Sequence, residues 1–143
     1  MNKLAIYATL LISGMIMPHL KAEQCSNSDL QGAYSFVLSG TFNGLPFAAA
    51  GQTLYSGDGT AVGVIQASSG GSIFPPATWT AKYSLSAMET NGQTACVLTK
   101  TLVIPAYGNL TVSFFGTAGN GFKELRFIAI TPTSTLSGSA TRQ

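Results

Sequence analysis

Lys100 lies in the run Leu98-Thr99-Lys100-Thr101-Leu102, in phase with two leucines. Side chains alternate faces along a β-strand, so if Leu98 and Leu102 face a core, Lys100 does too. A buried amine must pair with an acid such as Glu124, meet the carboxylate of a ligand, or give up its proton. Each outcome would mark a functional site. In the competing arrangement, Val97, Thr99, Thr101 and Val103 face inward, or Lys100 sits near a rim with its stem snorkelling. Because lysine is rarely buried without a partner, the sequence favours a solvated Lys100 and keeps the inward-facing one as the alternative.

The rings Tyr34, Phe36, Trp79, Tyr83, Phe114 and Phe127 carry the second chemical signal. In an eight-stranded barrel they either fill the bore or line a cavity for one small ligand. The run Ala48-Ala49-Ala50-Gly51 leaves both outcomes open, since small residues make room either for a ligand or for the rings themselves. The expected ligand-binding set is Tyr34, Phe36, Trp79, Tyr83, Lys100 and Phe114, and the expected partner is a small apolar molecule. No catalytic residue, metal ligand or cofactor is expected.

The glycine-rich stretch Tyr55-Ser-Gly-Asp-Gly-Thr60 is read as a turn. A phosphate loop opens a helix and has a lysine nearby, whereas Thr60-Ala-Val-Gly-Val-Ile65 is β-patterned and no lysine follows Gly59. A calcium loop needs several oxygen ligands at alternate positions, and Asp58 stands alone. Asp-Gly between alternating runs instead suits a hairpin whose glycine takes the positive φ of a primed turn.

Composition narrows the functions further. Met1-Asn2-Lys3, the apolar run Leu4–Met17 and the segment ending at Ala22 read as a secretion signal over residues 1–22, with one domain over 23–143. The apolar run is too short to span a bilayer comfortably. Beyond Ala22, Lys82, Lys100, Lys123, Arg126 and Arg142 balance Glu23, Asp29, Asp58, Glu89 and Glu124. That balance leaves no basic patch for nucleic acid. The single histidine, His19, falls within the expected signal, which removes the commonest general base. No transmembrane segment is expected in the mature chain. Polar rows such as Thr78, Thr80, Ser84, Thr99, Thr101, Thr111 and Ser113 argue against the apolar belt of an outer-membrane barrel. In an oxidising compartment Cys25 and Cys96 are expected to form a disulfide that clips the N-terminus to the body.

Period-two alternation supplies the elements that position these residues. Strands are expected at Tyr34–Phe42, Phe47–Tyr55, Thr60–Ala67, Ala77–Leu85, Thr94–Ile104, Leu110–Phe114, Phe122–Ile130 and Thr135–Arg142. Asn43-Gly44 and Gly116–Gly121 read as turns, Ser68–Pro76 and Ser86–Gln93 as longer polar loops, and Asn27–Gln31 as one helical turn. Short connections favour a meander. Closure would hide strand edges in a chain with few charged gatekeepers. The expected fold is an all-β, eight-stranded antiparallel up-and-down barrel, calycin-like in build.

The motifs Gly32-Ala-Tyr-Ser-Phe-Val-Leu-Ser-Gly40, Pro46-Phe-Ala-Ala-Ala-Gly51 and Ser56-Gly-Asp-Gly-Thr60 resemble a family of small exported bacterial proteins with no assigned activity. So do Phe122-Lys-Glu-Leu-Arg-Phe-Ile128 and the ending Ser137–Gln143, so the resemblance covers nearly all of the mature chain. The pattern is also similar to the allene oxide cyclase and dirigent type of eight-stranded barrel. That resemblance implies the fold and carries no functional residues onto positions here. The expected function is that of a secreted or periplasmic non-catalytic barrel that binds or supports, holding a small apolar ligand. The alternatives are a cyclase- or isomerase-like enzyme steering a lipid or phenolic intermediate, and an adhesion or host-interaction protein acting through Ser68–Pro76 and Ser86–Gln93.

Overall fold

Alternation of ring and hydroxyl residues gives the first strand its inner face. In β1 (Gln31–Phe42), Tyr34, Phe36 and Leu38 are buried while Ser35, Val37 and Ser39 are not. The structure, a computed structural model, describes residues 25–143. The expected signal segment 1–22 lies outside the described residues. The chain continues through β2 (Leu45–Ser56), β3 (Thr60–Ser69), the two-residue β4 (Ser72–Ile73) and β5 (Ala77–Thr90). It then forms β6 (Gln93–Ile104), β7 (Leu110–Gly119), β8 (Glu124–Ala129) and β9 (Ser137–Arg142).

Every strand pairing is antiparallel. Sequential pairing runs from β1 to β3, passes to β5 and continues to β9, which pairs back onto β1. This closes an eight-stranded up-and-down barrel, with β4 as a small arm on β3. Closure satisfies backbone donors and acceptors around the ring and leaves the main strands without a free edge.

Several local expectations are corrected. Ser86–Gln93 is not a loop: β5 and β6 stay paired out to Thr90↔Gln93, and only Asn91-Gly92 turns the chain. Asn91 and Gly92 both have positive φ, as Asn43 and Gly44 do at the β1–β2 turn, which matches the twist of a primed hairpin. Gly116 belongs to β7 and not to a turn; the chain reverses after Gly119. In β3, where Val62 and Val64 set the phase expected from the sequence, the small residues Ala61 and Ala67 face the core beside Ile65, and the two valines face outward and are half exposed.

The inward-facing small residues have a packing cause. A Cβ at Gly51 would collide with the Val64 carbonyl and the Phe36 ring, and one at Gly63 would strike the Trp79 ring. Gly116 and Gly138 seat Phe127 in the same way. The rings lie against glycine backbone, so the small residues admit rings and the bore is packed. Ring contacts link Phe36 to Trp79 at 6.3 Å and Phe114 to Phe127 at 5.5 Å between centroids.

The two ends of the barrel differ. At one end a 3-10 turn, Asn27–Asp29, brings Leu30 into the core as a fully buried plug. The expected disulfide Cys25–Cys96 is present, with Cα atoms 5.5 Å apart, and fixes this segment to β6. Asn27 Oδ1 also accepts from the Leu85 amide at 2.8 Å. At the other end a second 3-10 turn, Pro105–Tyr107, follows β6, and Phe42, Phe47, Phe74, Tyr107 and Leu110 are only partly buried against the core.

Candidate functional site

Lys100 faces inward. This corrects the solvated placement that the sequence favoured: Leu98, Lys100, Leu102 and Ile104 share the inner face of β6, while Thr99 and Thr101 are exposed. Lys100 is 6% exposed, and its register partners are Tyr83 on β5 and Phe114 on β7. The rarity of buried lysine was outweighed by strand phase, because turning Lys100 out would also turn out Leu98 and Leu102.

The amine has one hydrogen-bond partner, donating to the Tyr55 hydroxyl at 3.2 Å. Its remaining surroundings are ring faces. Nζ lies 5.3 Å from the Tyr55 centroid, 5.0 Å from Trp79 and 5.8 Å from Phe127. Ring quadrupoles attract a cation, but they replace little of its lost hydration. No carboxylate pairs with Lys100 among the described residues, and Glu124, the acid considered for that role, is exposed on β8. Burial alone pulls the amine down to about 8. Of the three outcomes open to a buried lysine, pairing with an acid is not found among the described residues, and burial favours loss of the proton.

Tyr55 was not among the rings singled out in the sequence. The phase Ala49, Thr53, Tyr55 along β2 carries the signal for it. Its ring meets Tyr34 edge-on at 5.3 Å and Tyr83 edge-on at 5.1 Å, so three phenols line one part of the bore. Burial pushes the Tyr55 hydroxyl well above the ordinary phenol range, reinforced by Tyr34 and Tyr83 and opposed by a hydrogen bond from Thr53. Tyr55 therefore stays neutral beside the amine and cannot serve as its counter-ion.

The other expected ligand-binding residues divide by how their polar atoms are used. Tyr34 donates to the Phe122 carbonyl. The Tyr83 hydroxyl accepts from the Gly57 amide at 3.0 Å, with the Leu30 and Asn27 carbonyls at 2.9 and 3.1 Å as its acceptors. Both hydroxyls tie the plugged end together. Phe36 and Phe114 are ring-packed core residues. Trp79 differs: its Nε1 is buried with no hydrogen-bond partner. The structure thus brings Lys100, Trp79 and Tyr55 together as a cluster rich in donors and poor in acceptors, while Tyr34 and Tyr83 serve the plug.

The glycine-rich stretch is a turn, although a longer one than a two-residue primed turn. Gly57 and Gly59 have positive φ on either side of Asp58. Asp58 Oδ1 accepts from the Thr60 amide at 2.9 Å and from the Thr60 hydroxyl at 2.6 Å. These bonds hold its carboxyl below the usual range and commit that oxygen to the turn. Among the described residues no group of three His, Cys, Asp or Glu is placed to hold a metal, and no helix is long and apolar enough to cross a membrane.

Two recesses lie on the outer wall and not in the bore. One lies along β7, β8, β9 and β1, with Val37, Phe115, Arg126 and Ile128 among its lining. The other lies over β2, β3 and β5, with Leu54, Val62 and Val64.

No family model and no curated protein sequence matches the chain. Among solved structures it is similar to a redesigned β-barrel, mFAP1, bound to DFHBI, with a TM-score of 0.55 and 18% identity, covering 81% of this chain and 97% of that one. It is similar to a second redesigned barrel, b11L5F_LGL, with a TM-score of 0.52 and 21% identity, covering 82% and 94%. A third, mFAP0, also bound to DFHBI, matches with a TM-score of 0.54 and 19% identity, covering 80% and 99%. At these identities the likeness establishes the barrel fold alone.

Proposed function

We propose that the chain is an exported, non-catalytic binding barrel. It takes a small, largely apolar molecule into its bore and sets the molecule's acceptor end against Lys100 and Trp79. The observation that carries this reading is the unmatched donor pair: a buried amine with one hydroxyl partner and an indole N–H with none. A buried donor left unpaired costs about 1–3 kcal/mol, and a ligand acceptor would recover that cost on binding. The half-buried rim of Phe42, Phe47, Phe74, Tyr107 and Leu110 is the entrance, since the opposite end is plugged and clipped. The Cys25–Cys96 bond supports an oxidising compartment outside the cytosol, as does the resemblance to an exported bacterial family. That the redesigned barrels mFAP1 and mFAP0 were solved with DFHBI bound adds support, because they share this build.

Because the bore is packed, binding requires the rim rings to swing aside and the rings around Lys100 to part. Titration of the chain with terpenoid alcohols and aldehydes, read by Trp79 emission, is the test. Saturable shifts that vanish in Lys100→Met are expected, and a flat response across the panel would overturn the reading. The packed bore also favours a second reading, in which the outer wall does the work. Leu54, Val62 and Val64 form a half-exposed apolar face, and Ile73 on the β4 arm is 78% exposed. That reading gains if Trp79 stays silent while Val64→Asp lowers self-association or capture by a protein partner.

A further inference from the structure

We infer that Lys100 is a covalent capture site: its amine forms a reversible imine with an apolar aldehyde held in the bore. This rests on the binding reading above and names the ligand's reactive end.

The geometry separates an aldehyde from a carboxylic acid. A carboxylate needs a fixed cation or several donors around it to leave water, and among the described residues the only cation in the core is Lys100 itself. No acid holds that lysine in its charged state, and one hydroxyl and three ring faces surround it. Such surroundings suit a neutral amine, and burial lowers its pKa in agreement. At neutral pH a pKa of about 8 leaves roughly a tenth of the amine unprotonated, some hundreds of times the fraction for an ordinary solvated lysine. An amine of this kind, desolvated in apolar surroundings, is a nucleophile toward carbonyl carbon.

The step balances without a further reactant. The Nζ lone pair adds to the carbonyl carbon, forming a C–N bond, and one Nζ proton passes to the carbonyl oxygen to give a carbinolamine. The C–O bond then breaks, and the hydroxyl leaves as water with the second Nζ proton, giving C=N. The Tyr55 hydroxyl, 3.2 Å from Nζ, is the neutral acid placed to relay a proton to the departing oxygen. Water reverses the sequence. Position along the strand fits a tethered ligand, because Lys100 lies four residues before Ile104 at the end of β6, about 13 Å of strand from the half-buried rim. An apolar chain of that length would lie against Trp79, Phe36 and Leu102 with its carbonyl at the amine.

The test is reductive trapping. The full chain is incubated at pH 7.5 with trans-cinnamaldehyde and sodium cyanoborohydride, and the modified lysines are located by peptide mapping. Lys100 should be labelled at least tenfold faster than exposed Lys82 and Lys123, and the conjugated-imine absorbance before reduction should be absent in Lys100→Met. Cinnamyl alcohol, an apolar analogue that forms no imine, should slow labelling at Lys100 only. Equal labelling of all three lysines, with Trp79 emission still responding to cinnamyl alcohol, would overturn the imine and leave the binding reading standing. No label on Lys100 together with a silent Trp79 would overturn both. Should Lys100→Met fail to fold, the competition arm on the unaltered chain decides the matter.

Discussion

Replacing Lys100 by methionine should make the protein more stable, and the size of the gain should depend on pH. An ordinary lysine titrates at 10.5, whereas burial brings Lys100 down to about 8. Protonated lysine is therefore the form the folded state disfavours. Between these values the unfolded chain binds more protons than the folded one, so stability rises with pH across that window. Below the folded value the penalty is fully present, and two to three pKa units amount to about 3 kcal/mol. Raising the pH from about 7 to about 9.5 should return about 2 kcal/mol of it. Tyr34, Tyr55 and Tyr83 act in the opposite direction, because their raised pKa values stabilise the fold below the ordinary phenol value of 10.0 and that contribution is lost at higher pH. The Met variant keeps all three tyrosines, so the difference between the two proteins isolates Lys100. Methionine matches the stem in length and leaves no charge in the core. Urea unfolding at a series of pH values, followed by Trp79 emission, gives both stability curves. The unaltered protein should be the less stable by about 2–3 kcal/mol near pH 7 and should close most of that gap by about pH 9.5. Parallel curves would mean that the amine keeps its charge in the fold without penalty, and would refute the argument from burial.

Reducing the Cys25–Cys96 bond, or replacing both residues by serine, should cost about 4 kcal/mol in the chain-entropy treatment of so long a loop, measured as a shift in the denaturation midpoint. Tyr83→Phe should cost about 1–2 kcal/mol because it strands the Gly57 amide and loosens the plug, and hydrogen exchange at Gly57 should report it. Gly63→Ala should destabilise by about 1–3 kcal/mol by pushing the Trp79 ring off its seat, with a change in Trp79 emission as the signature. Gly59→Val should cost stability while leaving ligand response intact, since Gly59 has a positive φ and its missing Cβ faces Asn27 and the Tyr83 carbonyl.

The barrel was legible because alternation and turn chemistry agreed. Trp79, Ala81, Tyr83 and Leu85 against Thr78, Thr80, Lys82 and Ser84 define a wall with one dry face, and Asn43-Gly44 fixes where it turns back. The Ser86–Gln93 segment misled because exposed residues on both faces look like a loop, whereas backbone pairing alone carries that hairpin beyond the core. In β3 Val62 and Val64 lie outside while Ala61 and Ala67 lie within beside Ile65, since facing rings demanded small partners, and a single strand's sequence does not show what stands opposite. Lys100 was legible in phase but not in cost. Frequency favoured water, whereas the leucines on either side of it dictated the core. The missing acid, the proximity of Tyr55 and the stranded Trp79 N–H exist only once the wall has closed.

Cys25 is clipped at the plugged end, and the Gln143 amide bonds to the Ala33 carbonyl beside it, so the two described termini leave the barrel on one side. Any tether, whether a lipid, a neighbouring domain or a laboratory fusion, would thus hold the molecule by its base. The half-buried aromatic side chains of the far rim would then lie at the end away from the attachment.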